Sequence, residues 1–244
     1  MMVIQPQNFS LPLVRNEQVN RDVMSFYFDR TKNPSYDFLP GQYNRVIIPS
    51  VQNDPRGTSR MFSIASSPLE KEYLMITTKI SQSPFKQTLN SLQTGGSVDF
   101  FGPIGRFVYD ETDTRHHVFL AGGIGLTPFR SMIMYAASKN LATPITMVVS
   151  FSTVEEFIYF DELTKISADH KNIKIIYTVT RPESSWTGQT GRISTDMIIK
   201  YIPDFQNCPF YICGSAKVTV ALEEIVKSMN ISEENIKKEE FPGY

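Results

Sequence analysis

The chain has 244 residues, room for one large domain or two of ordinary size, and its composition is that of a globular protein. Its formal net charge is −1 and no basic stripe interleaves with aromatics, which leaves nucleic-acid binding without electrostatic support. The opening MMVIQPQNFSLPLVR lacks the regions of a signal peptide, and no apolar run reaches the roughly 18 residues of a membrane span, so the expectation is a cytoplasmic protein.

Residues 1–110 read as β. Short segments rich in Val, Ile, Tyr and Phe alternate with turn clusters. The expected strands are Leu11–Asn16, Met24–Phe28, Tyr43–Ile48, Arg60–Ala65, Tyr73–Lys79 and Ser97–Phe101. Turn signals such as Pro40-Gly41, Asn53-Asp54-Pro55 and Gly102-Pro103 separate them, and this spacing predicts a small antiparallel barrel or sandwich. One helix interrupts, with Ser83 as N-cap, Pro84 as first residue and Phe85, Leu89 and Leu92 on the buried face.

Near residue 112 the pattern changes, so the expected domains are 1–112 and 113–244. Apolar strand runs (Val118–Ala121, Ile145–Phe151, Ile173–Thr180, Phe210–Cys213) now alternate with amphipathic helices (Pro128–Ser138, Val154–Ile166, Ser194–Tyr201, Ala216–Met229). This alternation predicts a doubly wound parallel sheet. Within it, Val118-Phe119-Leu120-Ala121 leads into Gly122, Gly123 and Gly125, and then into a helix opened by Thr127-Pro128. Strand, glycine turn and helix place backbone N–H groups against a phosphate at the carboxyl edge of a sheet. The same glycines could serve tight strand-to-helix packing alone.

Two cysteines, Cys208 and Cys213, end up about 16 Å apart along a strand at about 3.3 Å per residue, beyond the reach of a disulfide, and they are too few for an iron–sulfur cluster. His116, His117 and His170 show no ligand spacing, so no metal site is expected.

The segment Arg60-Met61-Phe62-Ser63-Ile64-Ala65-Ser66-Ser67, followed by Gly122-Gly123-Ile124-Gly125-Leu126-Thr127-Pro128 and by Tyr211-Ile212-Cys213-Gly214, resembles the ferredoxin–NADP reductase family in order and spacing. The resemblance covers nearly the whole chain from Pro40. It implies an N-terminal antiparallel β-barrel of Greek-key type, with six strands and one helix, that binds FAD. It also implies a C-terminal α/β domain that binds NAD(P).

By that resemblance Arg60 pairs with the FAD pyrophosphate, Phe62 lies against the isoalloxazine, and Ser63 places its hydroxyl near flavin N5. Met61 belongs to the same segment. Thr77, Thr78 and Lys79 supply backbone contacts, and the start of the helix at Phe85 and Lys86 is a second phosphate contact, although Lys86 is equally readable as a solvated lysine. Gly122, Gly123, Gly125, Thr127 and Pro128 cradle the dinucleotide pyrophosphate. Cys213 and Gly214 border the nicotinamide, with a small buried hydrophobe as the plainer reading of Cys213. Thr180, Arg181 and Arg192 stand where relatives read a 2′-phosphate, and no acidic residue ends the strand at Thr180, which points to NADPH, with NADH possible. The terminal Tyr244 is a candidate to stack on the flavin and, with Ser63 and Cys213, completes the candidate catalytic set; a frayed end without a role is the alternative.

The implied activity is hydride transfer from nicotinamide to FAD, then electron transfer to a separate acceptor of ferredoxin or flavodoxin type. Two alternatives stand beside it. One is an NADH-dependent reductase component of a multicomponent oxygenase. The other is a non-catalytic dinucleotide-binding regulatory subunit.

Overall fold

A computed structural model describes residues 4–241. They fall into two compact units, the residues up to Tyr109 with Arg130–Tyr135, and Asp110–Phe129 with the residues from Ala136 onward.

The first unit holds strands β1 (Gln7–Asn20), β2 (Val23–Asp29), β3 (Tyr43–Ile47), β4 (Ser59–Ser63), β5 (Tyr73–Lys79) and β6 (Ser97–Ile104), in the order β4-β3-β6-β1-β2-β5. Every neighbouring pair is antiparallel, and the first and last strands in sequence lie side by side. Just past the end of β4, the Ala65 N–H donates to the carbonyl of Met75 in β5 at 2.8 Å, so the sheet curls until its edges meet. Strand β1 extends beyond the expected Leu11–Asn16 at both ends. Apart from half-buried Phe9 and Val19, the residues at its two ends are polar, so apolar alternation marks mainly the buried middle of the strand. The core is built from Leu11, Phe26, Phe28, Ile76 and Phe100. Helix α1 (Pro84–Asn90) plugs it with Phe85 and Leu89, and Ser83 Oγ accepts the Lys86 N–H at 3.2 Å as the N-cap. Leu92 lies beyond the helix end and packs partly buried against the same core.

The second unit holds β7 (His117–Gly122), β8 (Ile145–Phe151), β9 (Ile173–Val179), β10 (Gln189–Thr190), β11 (Phe210–Ser215) and β12 (Ile236–Phe241). All pairings are parallel, in the order β10-β9-β8-β7-β11-β12. The chain therefore builds outward from β7 on one side, then returns to its other side at β11. That reversal puts a topological switch point between β7 and β11. Helices α2 (Thr127–Ser138), α3 (Phe160–Asp169), α4 (Thr195–Tyr201) and α5 (Ala216–Ser228) accompany the strands. Val118, Leu120 and Ile212 bury one sheet face against Ile198 of α4 and Leu222 and Val226 of α5. Phe119, pointing the other way, stacks on Phe129 of α2 with ring centroids 4.8 Å apart.

The expected helix Val154–Ile166 starts late. Val154–Glu156 is a single 3-10 turn, Tyr159 sits in the left-handed region at φ 56°, and α3 begins at Phe160. The Phe157 ring explains the break: it packs 5.1 Å from Phe151, 5.0 Å from Tyr177 and 5.4 Å from Trp186, a position a continuous helix would not give it. Strands β10 and β12 were not expected from the sequence. Among the described residues no helix is long and apolar enough to cross a membrane.

Candidate functional site

In the first unit the site residues converge on strand β4. Side chains alternate along it, so Arg60 and Phe62 face inward while Met61 is 49% exposed. The Arg60 guanidinium is committed at both ends of its fork. Nη1 donates to the carbonyls of Arg56, Gly57 and Ser59 at 2.8–3.0 Å, and Nη2 donates to Asp54 Oδ1 at 2.5 Å. Asp54 Oδ2 in turn accepts the Phe85 N–H at 2.9 Å. Arg60 and Asp54 form a buried ion pair, with side chains 7% and 1% exposed. The Phe85 amide first, then the Arg56 amide and the Arg60 guanidinium, hold the Asp54 carboxyl below its ordinary range.

Phe62 is buried beside Phe85, with ring centroids 6.1 Å apart, and the Lys86 ammonium stands 4.8 Å from its ring. Lys86 is a buried lysine, not a solvated one: its Nζ donates to Thr78 Oγ1 and, at 3.2 Å, to the Lys79 carbonyl. Burial, reinforced by the charges of Arg60 and Arg56, pushes its ammonium down to about 7. Thr77 and Thr78 are buried on β5, Thr77 Oγ1 lying 2.6 Å from Ser25 Oγ, whereas the Lys79 side chain is exposed near Asp22. Ser63 has a different character. Its hydroxyl is buried and has no hydrogen-bond partner among the described residues. A buried hydroxyl without a partner costs about 1–3 kcal/mol, a cost that a bound polar ligand removes.

In the second unit the candidate residues lie at the switch point. Gly123 takes φ +53°, with nothing within 4 Å of where a Cβ would stand. Gly125 is the opposite case: a Cβ there would fall 2.4 Å from the Cys213 carbonyl oxygen and 2.7 Å from Gly214 Cα. The turn is therefore pressed onto the end of β11 at Gly125 and open at Gly123, a shape suited to close approach by a ligand's phosphates. Residues Gly123–Leu126 form a 3-10 turn that runs into α2 at Thr127, so Pro128 is the second helical residue and not the first. Thr127 is buried and its hydroxyl donates to the Ile124 carbonyl at 3.0 Å, which fixes the turn. The Cys213 thiol is fully buried, and burial raises its pKa. At the carboxyl edge, β11 offers its backbone and Gly214.

Thr180 and Arg181 follow β9, their amides bonded to the carbonyls of Phe151 and Ser152 at 3.0 and 2.8 Å. Both are exposed, as is Arg192, which follows Gly191 in a left-handed turn at φ 90°. The sequence reading missed Glu156 here. One of its carboxylate oxygens accepts the Ser152 N–H at 3.2 Å, and the other lies 3.9 Å from Arg181 Nη2. Asp54 was likewise read only as part of a turn. The spacing also hid a group at the opposite end of the strands, His116, Asp204 and Cys208, whose ligand-type atoms lie within 4.8 Å of one another. His116 Nδ1 is 3.0 Å from Asp204 Oδ1, its Nε2 is 2.9 Å from Thr146 Oγ1, and burial pushes the Cys208 thiol up to about 12. Both cysteines are free. Tyr244 lies outside the described residues.

A family model described as an oxidoreductase FAD-binding domain matches residues 10–109, and one described as an oxidoreductase NAD-binding domain matches residues 119–224. Over 218 residues the chain is 28% identical to one component of the Na(+)-translocating NADH-quinone reductase of Serratia proteamaculans, an alignment covering 83% of this chain and 53% of the relative. It thus spans about half the length of the curated relatives it matches. Among solved structures it is similar to the Amycolatopsis cytochrome P450 reductase GcoB, with TM-score 0.86, 17% identity and coverage of 99% of this chain and 72% of that one. It is also similar to a ferredoxin–NADP+ reductase variant of Plasmodium falciparum, with TM-score 0.77, 20% identity and 96% of each chain covered. The chain thus belongs to the oxidoreductases that join an FAD-binding domain to an NAD-binding domain, and it shares the fold of ferredoxin–NADP reductases.

Proposed function

We propose that the chain is an FAD-dependent NAD(P)H reductase that passes electrons to a separate acceptor protein. The observation that carries the reading is Ser63: a buried hydroxyl without a partner among the described residues, three residues along the strand from an arginine already holding an anion. When bound, FAD accepts two electrons from a nicotinamide and releases them singly. The barrel strand supplies the rest. Arg60 would hold the negative charge of the cofactor, the Ser63 hydroxyl would supply a hydrogen bond to its polar atoms, and buried Phe62 would help to exclude water. In the α/β unit, Gly123 admits phosphate to the backbone while Gly125 keeps the turn seated on β11. The relatives, a component of a quinone reductase among them, support an external acceptor.

The test is direct. Purified protein reconstituted with FAD is expected to retain it through gel filtration and to bleach on anaerobic addition of reduced nicotinamide. Ser63→Ala is expected to keep FAD while flavin reduction slows by about tenfold to a hundredfold, within the usual range for one positioned hydrogen-bonding group. Protein that takes up no FAD sinks the proposal, and an unchanged reduction rate removes Ser63 from it.

For the second cofactor the reading we favour is NADH. Thr180 and Arg181 alone point to NADPH, but Arg181 has a carboxylate neighbour in Glu156, fixed by the Ser152 amide. A 2′-phosphate docking on Arg181 would bring like charge against that carboxylate, whereas ribose hydroxyls could donate to it. The expected result is a higher kcat/KM for NADH than for NADPH. Glu156→Gln is expected to shift the ratio toward NADPH by roughly fivefold, since both side chains are solvated and the interaction is screened. A wild-type preference for NADPH would reverse the assignment.

A further inference from the structure

The family assignment leaves one group of the barrel site unexplained: the Asp54 carboxylate. It occupies the two donors that the flavin reading gives to a diphosphate, Arg60 Nη2 and the Phe85 amide. The loop is shaped to put it there. Asn53 adopts φ 57°, Gly57 adopts φ 75°, the Gly57 N–H returns to the Asp54 carbonyl at 2.9 Å, and the Arg56 N–H returns to Asp54 Oδ1 at 2.9 Å. Arg60 Nη1 meanwhile grips the carbonyls of Arg56, Gly57 and Ser59, so the guanidinium belongs to the loop whether or not Nη2 is engaged. Lys86 is buried close enough to Arg60 and Arg56 for their charges, after burial itself, to push its ammonium down.

We propose that Asp54 is an internal stand-in for the flavin diphosphate: its carboxylate neutralises Arg60 in the ligand-free chain and is exchanged for the diphosphate when FAD binds. The proposal rests on the flavin reading above and adds a residue to it. Asp54 is a positioning residue, and no bond is made or broken in the exchange beyond hydrogen bonds. The ligand-free barrel is held by the carboxylate, and FAD must displace it. Affinity is thereby traded for a folded, neutralised site before the cofactor arrives.

The experiment measures FAD affinity, by quenching of flavin fluorescence, and thermal stability with and without FAD, for wild type, Asp54→Asn and Asp54→Ser. The serine variant keeps a short acceptor for the Arg56 amide, so one variant remains if the other fails to fold. Removing the competing charge is expected to tighten FAD binding by about tenfold or more, the effect of losing a close like-charge contact. The ligand-free Tm is expected to fall while the Tm with saturating FAD does not. Weaker or unchanged FAD binding in the folded variants, or an equal fall in both Tm values, overturns the exchange. If wild type itself takes up no FAD, it is the flavin reading that fails, and the exchange fails with it.

Discussion

Gly125→Ala is expected to cost the α/β unit about 3 kcal/mol, the upper end of what forced overpacking usually costs, and to abolish dinucleotide binding. The added methyl would meet three backbone atoms, at 2.4 Å from the Cys213 oxygen, 2.6 Å from its carbonyl carbon and 2.7 Å from Gly214 Cα. No side chain can rotate aside to relieve these contacts. Either the glycine turn lifts from β11 or the end of β11 moves, and each change opens the switch point where the cofactor is expected. Gly123→Ala is the informative partner. Its methyl would meet nothing within 4 Å, so only the left-handed backbone opposes it, at about 1–2 kcal/mol. Urea unfolding is expected to separate the two variants, while NADH binding is expected to weaken for Gly123→Ala and to be lost for Gly125→Ala. If Gly125→Ala unfolds at the wild-type urea concentration, the close seating of the turn is not what holds this edge together.

Lys86→Met is expected to reshape the pH dependence of stability in the protein without flavin. The ordinary lysine pKa is 10.5, and in the fold it falls to about 7, chiefly through burial and then through Arg60 and Arg56. Between those values the unfolded chain carries a proton on this lysine that the folded chain has released. The unfolded state binds more protons, so stability rises with pH, by up to about 1.4 kcal/mol per pH unit. Below pH 7 both states are charged, the burial penalty is fully present and this contribution is flat. Methionine keeps the apolar stem against Phe62 and removes the charge. The variant is expected to be more stable below pH 7, by an amount on the order of 5 kcal/mol, and to lose the rise between about pH 7 and 10. Denaturant midpoints across that interval supply the measurement. A Lys86→Met profile running parallel to the wild type's would show that the ammonium stays charged inside the barrel.

Much of this architecture could be read along the chain because each element advertises itself locally. The barrel strands carry apolar residues at every second position, Ser83-Pro84 marks the start of α1, and four apolar runs broken by helical patterns describe a parallel sheet. What escaped the reading was set by distant partners. Ile236–Phe241 reads Ile-Lys-Lys-Glu-Glu-Phe and has no apolar alternation because it lies at a sheet edge, where one flank is solvent. The false start of α3 at Val154 came from a helical period that Phe157 abandons to join four other rings. Arg60 and Ser63 could be singled out by motif, but not their circumstances: nothing local says that Asp54, six residues earlier, would claim the arginine, or that Glu156 would stand beside Arg181. Lys86 was ambiguous on the same ground, since only the assembled barrel shows the ammonium beneath solvent and against Phe62.

The charged edge strand has a bearing on biogenesis. Phe210-Tyr211-Ile212-Cys213 is wholly buried once Ile236–Phe241 pairs beside it, and that partner leaves a ribosome only after the whole of α5 has been made. Until then the growing chain carries a greasy, unpaired strand flank of the kind that recruits other polypeptides, and Lys237, Lys238, Glu239 and Glu240 are the residues that seal it. A premature stop upstream of Ile236 would therefore yield a sticky product, cleared by chaperones and proteases, and not a shortened reductase.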